Sequence, residues 1–252
     1  PLHSIPFHSI PYDSTLMKAA YKDFKRLYQE VNNFTCVVQE GKAGDREFYL
    51  GMYERLVLSL LIDSDWSDAA CFSEKETLPS RISEEKKREI WHKAISNYDN
   101  YMKHVISENH YSLLSRYRNE ISDLCYQAAM TENRLYRLTV PTGAGKTFSS
   151  LRFALYHAEK YTKEHIFYVA PFNSILEQNA ADIRAAVGQE EFVLEHHCNV
   201  IQENEKDAEK YRKLTENWDC PIIVTTAVQM LNTLFSGQKS SIRRMYTLCN
   251  SV

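Results

Sequence analysis

The sequence predicts a protein of the α + α/β class, in which a helical part precedes a parallel sheet covered by helices. Amphipathic helical patterns fill the chain up to about residue 110. Beyond that point short β-rich runs alternate with helical patterns, and a glycine-rich turn follows the first run. The runs are "RLYRLTV", "HIFYVA", "FVLEHH" and "PIIVTT". Because such alternation is typical of a parallel sheet, we place the boundary between the two parts near residue 110.

The composition is that of a globular protein with one large or two modest domains: 252 residues, 44% hydrophobic and 25% charged. A net charge of −3 gives no global basic field, although a local groove can still be basic. Six scattered cysteines without a CxxC pair favour a reduced, intracellular environment. Without a bilayer-spanning apolar stretch or a signal-peptide pattern, the expectation is a cytoplasmic protein with no membrane partner. Since position 1 is proline, we also expect a piece of a longer protein.

Two long helices are predicted in the first part of the chain. The first carries an apolar stripe and is expected to end in the acidic cluster "IDSDWSD"; the stripe is Tyr49, Met52, Tyr53, Leu56, Val57 and Leu60. The second begins at the capping residue Ser83, and its stripe is Trp91, Ala94, Ile95, Tyr98, Met102 and Val105. Between them the polar "FSEKETLPSR", with Pro79, predicts a loop or linker. A further helix is expected over Leu113 to Met130.

The turn "VPTGAGKT" has the form of a phosphate-binding loop. Gly145, Lys146 and Thr147 match the pattern G-x-x-x-x-G-K-[ST], and Val140 stands at its first glycine position. Glycines let the backbone amides turn inward around phosphates, the lysine reaches the β- and γ-phosphates, and the hydroxyl holds Mg²⁺. We therefore predict a bound nucleotide and Mg²⁺ as cofactors, with Lys146 and Thr147 as catalytic residues, although the loop alone does not distinguish a kinase, a GTPase and a motor. The predicted cofactor-binding loop is Pro141, Thr142, Gly143, Ala144, Gly145, Lys146 and Thr147.

Two later segments place hydroxyl groups at the carboxyl ends of predicted strands. Ser174 is followed by Glu177, and Thr225-Thr226 is followed by Gln229, so both segments predict capping boxes at helix starts. Exposed helix N-termini can also grip phosphates along a nucleic-acid strand. Ordinary helix capping explains either segment alone. Both segments after a phosphate loop favour a nucleic-acid motor, with Ser174, Thr225 and Thr226 as candidate contacts to the nucleic-acid backbone.

These segments together resemble a known family. "VPTGAGKT", "APFNSILEQNA", "EHHCNV" and "VTTAVQMLNTLF" resemble the first RecA-like domain of superfamily 2 helicases, and in detail the CRISPR-associated helicase–nuclease of type I systems. "RNEISDLCYQAA", Arg118 to Ala129, resembles the family's helix before the phosphate loop, which implies that Arg118 helps to frame the nucleotide. The resemblance covers roughly residues 45 to 252.

The resemblance also implies a nuclease part. The family carries an HD nuclease domain before its helicase, and "LLIDSDWSDAA" fits the helix of its last metal-ligand aspartate, with Asp65 at that position. The implied metal is a divalent transition metal (Mn, Co, Ni or Fe). A solvated helix end explains the same cluster without metal. No His-Asp dipeptide occurs, and His196-His197, inside the α/β part, is expected to be structural or to face nucleic acid.

The resemblance further implies a domain division and a biological role. Residues 1–75 would be the C-terminal part of the all-helical HD domain, 76–110 a helical linker, and 111–252 a partial RecA-like domain that stops at "CNSV", before its acidic-box strand. The whole protein would be an ATP-driven translocase and nuclease on single-stranded DNA, recruited by a crRNA-guided, Cascade-type surveillance complex. The isolated chain is expected to hydrolyse ATP poorly or not at all. A nuclease-free helicase acting on RNA or chromatin and a nucleotide-sensing interaction module stay as alternatives.

Overall fold

The computed structural model describes residues 43–74, 82–108, 112–133, 135–197 and 214–252, with single residues between 18 and 33 and Tyr211. Most of the segment assigned to the HD domain before residue 43, the predicted linker around Pro79 and the end of "EHHCNV" lie outside this part. The chain divides into two compact units, Pro1–Glu54 and Arg55–Val252.

The first unit is helical wherever it is described. Its single described residues between 18 and 33 are helical and exposed, and Arg26 pairs with Glu30 one turn later, at 3.8 Å. Helix α1, Ala43–Glu74, begins in this unit. Phe48 and Tyr49 contact each other edge to face and are each about half exposed.

The second unit contains a three-stranded sheet and most of the helices. Besides the later part of α1, its elements are, in chain order, α2 (Glu84–Glu108), α3 (Leu113–Ala129), α4 (Lys146–Lys160), β1 (Ile166–Ala170), α5 (Asn173–Val187), a 3₁₀ turn (Glu190–Phe192), β2 (Val193–His196), β3 (Ile222–Thr226), α6 (Ala227–Phe235), α7 (Lys239–Arg243) and a second 3₁₀ turn (Arg244–Leu248).

The sheet is parallel and has the order β1-β3-β2. Ile222 on the central strand is aligned with Ile166 on one side and Val193 on the other. Every residue of β3 is buried, as expected for a central strand covered on both faces. The three predicted strands at "HIFYVA", "FVLEHH" and "PIIVTT" are confirmed, and the arrangement is consistent with part of a RecA-like domain.

Helices α2, α4 and α5 share the main core on one face of the sheet. Its largest fully buried side chains include Trp91, Tyr98, Leu155, Leu176, Ile183 and Ile222. The stripe predicted on the second helix is therefore largely a core face, and Trp91 also donates its indole N–H to the carbonyl of Lys163 at 2.7 Å. A smaller cluster around Trp218, Leu194 and Ile223 covers the other face. The predicted cap is confirmed, because Ser83 Oγ accepts from the amide of Lys86.

The expected end of the first helix at the acidic cluster is wrong. Helix α1 continues through "IDSDWSD" to Glu74, and Leu60, assigned to its apolar stripe, is about half exposed while Ser59 and Ile62 are buried. Arg243 explains the continuation, because its buried guanidinium bonds Asp63 at 2.8 Å and Ser67 at 3.3 Å along one side of the helix. Asp63 is thereby held in the helix as an ion-pair partner rather than stopping it.

The strand predicted at "RLYRLTV" is also wrong, since residues 135–140 form no strand. The segment is instead anchored by Tyr136, whose ring packs against Phe153 of α4 at 4.7 Å between centroids. A strand needs a partner ladder, and the outer edge of β1 is paired with Val252. The amide of Phe167 donates to the carbonyl of Val252, and the amide of Val252 donates to the carbonyl of His165, both at 2.9 Å.

Within the described ranges, no helix combines the length and the apolar character that a membrane crossing requires.

Candidate nucleotide-binding site

The phosphate loop is shaped by two glycines in the left-handed region. Gly143 and Gly145 each have a φ of 82°, which strains residues that carry a Cβ atom. Between them Ala144 is buried, and its amide donates to the carbonyl of Pro141 at 3.3 Å. Gly145 is the N-cap of α4, so Lys146 and Thr147 are the first two residues of that helix. The loop predicted at this position is thus followed at once by a helix N-terminus.

The first turn of α4 provides the donors that an anion needs. Amides at a helix N-terminus have no acceptor inside the helix, and the helix dipole places partial positive charge there. Lys146 is exposed and lines the same cavity as Thr147. Mg²⁺ prefers oxygen ligands and keeps several waters, so one hydroxyl beside a phosphate site fits an ion bound chiefly through a nucleotide.

Arg118 of α3 holds the loop from the outside. Its Nε and Nη2 atoms both donate to the carbonyl oxygen of Gly143, at 3.0 and 2.7 Å. Its aliphatic stem also covers Gly145, where an added Cβ would lie 3.5 Å from Arg118 Cγ. The structure thus brings Arg118 to the loop as a support for the backbone, and a role of Arg118 in framing the nucleotide stays a prediction.

The Thr147 hydroxyl is held by the neighbouring helix. Its Oγ1 donates to Asn179 Oδ1 of α5 at 3.0 Å, and Asn179 is only 8% exposed. The hydroxyl also interacts with Tyr168 of β1. Burial raises the pKa of Tyr168, the Thr147 hydrogen bond lowers it, and the charge of Asp182 raises it. Tyr168 therefore remains a neutral hydroxyl beside the predicted Mg²⁺ ligand.

A cavity of about 1030 Å³ opens in front of the loop. Helices α2, α3, α4 and α5 and strand β1 line it, and its size suits a ligand as large as a nucleoside triphosphate. The loop residues predicted from the sequence lie together here, with Thr142, Gly143, Gly145, Lys146, Thr147 and Arg118 all on the wall. Pro141 is exposed and Ala144 buried beside them.

Helix α2 contributes a wall of the cavity that no sequence motif indicated. Tyr98, Asp99 and Met102 line the cavity, and the Tyr98 hydroxyl donates to the carbonyl of Phe148 at 2.9 Å. Burial raises the pKa of Tyr98 to about 12. The signal was present in the apolar stripe of this helix, but that stripe does not reveal which surface it covers.

The charge of Arg152 is balanced on the α3 side of the cavity. Its Nη1 donates to Asp123 Oδ1 at 2.8 Å and to Ser122 Oγ at 3.0 Å, and its guanidinium lies over the ring of Tyr126. The positive charge of Arg152 is therefore neutralised by a carboxylate in the cavity wall. Lys146, in contrast, is exposed at the start of α4.

The three predicted DNA contacts lie in different environments. Ser174 is exposed in the first turn of α5; the expected capping box there is wrong, because Phe172 is the N-cap and makes no side-chain cap. Thr226 caps α6 as predicted, with its Oγ1 accepting from the amide of Gln229 at 3.2 Å. Thr225 is fully buried and donates to the carbonyl of His196 at 2.8 Å. DNA contact by these residues stays a prediction.

Asp65 is exposed on α1, and the described part of the chain holds no group of three or more His, Cys, Asp or Glu side chains able to bind a metal.

The tandem histidines His196 and His197 are buried in the second unit, at the end of β2. His196 Nδ1 accepts from Trp218 Nε1 at 2.9 Å, and His197 Nε2 lies 2.8 Å from Glu195 Oε1. These buried contacts are structural, which is one of the two roles expected for this pair.

Comparison with known protein families identifies a match to this chain. The family described as type III restriction enzyme, res subunit, matches residues 92–247, from the middle of α2 to the second 3₁₀ turn. No curated protein matches the chain significantly.

Proposed function

The chain belongs to the family of the type III restriction enzyme res subunit, and from that premise we propose that it is part of an ATP-dependent helicase-type motor acting on nucleic acid. Membership of this family suggests an ATP-dependent helicase or ATPase. The observation that carries the proposal is the placement of Gly143, Gly145, Lys146 and Thr147 at a helix N-terminus that opens into a large cavity.

The proposal assigns a role to the start of α4 and to the residue that supports the loop. The amides of the first turn of α4 and the ammonium group of Lys146 bind the phosphates, and the Thr147 hydroxyl offers an oxygen ligand to Mg²⁺. Arg118 binds the carbonyl of Gly143 and so supports the loop backbone. When bound, Mg²⁺ neutralises phosphate charge and polarises the bond to be broken. Helix α2 forms one wall of the cavity.

The test is nucleotide binding by the full-length protein, measured with a fluorescent ATP analogue. Lys146→Ala should reduce the affinity at least tenfold, because the variant loses the charge that faces the phosphates. Lys160→Ala is the matched control, since Lys160 lies at the other end of the same helix and donates to the carbonyl of Met130. Equal affinity of wild type and Lys146→Ala would refute the site.

A finer proposal follows the resemblance to the CRISPR-associated helicase–nuclease. We propose that the motor moves on single-stranded DNA and that the exposed Ser174 contacts the DNA backbone. Thr225 is buried and Thr226 caps α6, so both residues support this region from inside the protein. Ser174 is exposed in the first turn of α5, and this position supports a phosphate contact. The partner would be a crRNA-guided, Cascade-type complex.

The same resemblance carries the proposal of a nuclease activity with Asp65 as a ligand to Mn, Co, Ni or Fe. The test is degradation of single-stranded DNA by the full-length protein with each of these ions. Asp65→Ala should abolish cleavage while ATP hydrolysis persists, and Asp68→Ala, an exposed carboxylate on the same helix, should cleave normally. Cleavage by Asp65→Ala would remove this residue from the metal site, and a wild type that never cleaves would favour a nuclease-free helicase.

A further inference from the structure

Asn179 of helix α5 contacts the first turn of α4, directly after the phosphate loop. Its Oδ1 accepts the hydrogen bond of Thr147 Oγ1 at 3.0 Å, although the two residues are 32 positions apart in the chain. Asn179 is 8% exposed, and both residues line the cavity in front of the loop. An acceptor at this position fixes the direction of the hydroxyl proton.

The direction of that proton decides what the hydroxyl oxygen can do. A hydroxyl has one proton and two lone pairs. With the proton directed at Asn179, the neighbouring Tyr168 hydroxyl takes at most one lone pair, which leaves a lone pair for another contact. A metal ion needs a lone pair of the oxygen and is repelled by the proton. A ligand oriented by an outer hydrogen bond binds metal more tightly, and loss of such a bond typically lowers metal affinity about 10- to 100-fold.

We propose that Asn179 is a positioning residue for Mg²⁺, acting through the hydroxyl of Thr147. This inference rests on the proposed nucleotide function and assigns to α5 a part in it. Asn179 does not contact the ion. It orients the ligand, and because it belongs to the same helix as Ser174, it joins the metal ligand to the helix that carries a proposed DNA contact.

The experiment measures binding of a fluorescent ATP analogue to the full-length protein, once over a Mg²⁺ titration and once in excess EDTA. Asn179→Leu has a similar shape but no acceptor. We expect it to raise the Mg²⁺ concentration at half-saturation about tenfold or more, with affinity in EDTA unchanged. Asn179→Asp keeps an acceptor oxygen at the same position and should restore the Mg²⁺ dependence to within about threefold of wild type.

Asn97→Ala is the matched control for a merely structural effect. Asn97 of α2 donates to the carbonyl of Val187 at 2.7 Å, so it supports the opposite end of α5, and its loss should leave the Mg²⁺ dependence unchanged. The inference is overturned if Asn179→Leu titrates like wild type, or if it loses affinity equally with and without Mg²⁺. A wild type that binds no nucleotide under either condition overturns the proposed function and this inference with it.

Discussion

Arg118 donates two hydrogen bonds to the carbonyl oxygen of Gly143, from Nε at 3.0 Å and from Nη2 at 2.7 Å. These bonds connect α3 to the middle of the phosphate loop, and the two residues are 25 positions apart in the chain. The carbonyl that they hold belongs to Gly143, whose φ of 82° lies in the left-handed region, so the bonds restrain a residue type with wide conformational freedom.

Removal of this support should weaken nucleotide binding without abolishing it. We expect Arg118→Ala to reduce ATP affinity roughly three- to tenfold, because hydrogen bonds from a charged group contribute substantially but this one is partly screened by water. Arg118→Lys should be similar, since an ammonium group lacks the planar fork. Arg116→Ala is the control, because Arg116 of the same helix is exposed and pairs with Glu120 at 3.1 Å rather than with the loop. Equilibrium titration that finds Arg118→Ala equal to this control would contradict the prediction.

The three hydroxyl groups that the sequence predicts as DNA contacts should differ in how much they contribute to the free energy of unfolding. Thr225→Val removes a buried bond to the carbonyl of His196, and Thr226→Ala removes a helix cap, so each should lower the free energy of unfolding by about 1–2 kcal/mol. Ser174→Ala should change stability by less than about 0.5 kcal/mol, because Ser174 is exposed and caps no helix.

Binding of single-stranded DNA separates these hydroxyl groups in a second way. Ser174→Ala should weaken DNA binding severalfold at low salt while its urea unfolding curve stays unchanged. Thr225→Val should bind DNA normally if measured well below its unfolding transition. A Ser174→Ala variant with wild-type DNA affinity would exclude this hydroxyl as a backbone contact.

Local patterns predicted those parts of the molecule that local physics determines. Sequence patterns located α2 and α3, β-rich runs located the three strands, and the glycine turn located the phosphate loop with Lys146 and Thr147. A capping residue next to its helix, such as Ser83, was recognisable because both bonded groups lie within four residues. These features require no knowledge of the distant chain.

The errors arise where a distant residue decides the outcome. The acidic cluster continues as helix because Arg243, 180 positions from Asp63, binds it, and no local pattern announces that partner. The run before the phosphate loop has strand propensity but no ladder, since the outer edge of β1 pairs with Val252. Asn179 was also missed, because its role depends on a helix packing against the loop.

The network around Arg243 predicts a large loss of stability. Its guanidinium is 7% exposed, bonds Asp63 and Glu216 at 2.8 and 3.1 Å, and lies over the ring of Trp66. Arg243→Ala should lower the free energy of unfolding by roughly 2–4 kcal/mol, because it leaves Asp63 without its counter-charge; Glu216 is more exposed and remains hydrated. Urea denaturation of the full-length protein measures this loss. A change below about 1 kcal/mol, the size expected for an exposed arginine such as Arg116, would contradict the interpretation.

His196 makes the stability of the sheet unit depend on pH. It is 8% exposed, and its Nδ1 accepts the indole hydrogen bond of Trp218, so a proton on that nitrogen would face another proton. Burial, followed by the charges of Arg244 and His197, lowers its pKa to about 3 from an ordinary value of 6.5. Burial also lowers the pKa values of His157 and His165.

The sign of the effect follows from proton binding in the two states. Between pH 6.5 and about 3 the unfolded chain takes up a proton at His196 and the folded chain does not, so acid favours unfolding and stability falls as the pH is lowered. This residue contributes at most about 1.4 kcal/mol per pH unit. His196→Asn keeps an acceptor for Trp218 but does not titrate in this range, so its unfolding free energy should fall less steeply from pH 7 to 4. Urea denaturation at several pH values measures both slopes, and parallel curves for wild type and variant would show that His196 is not the group responsible.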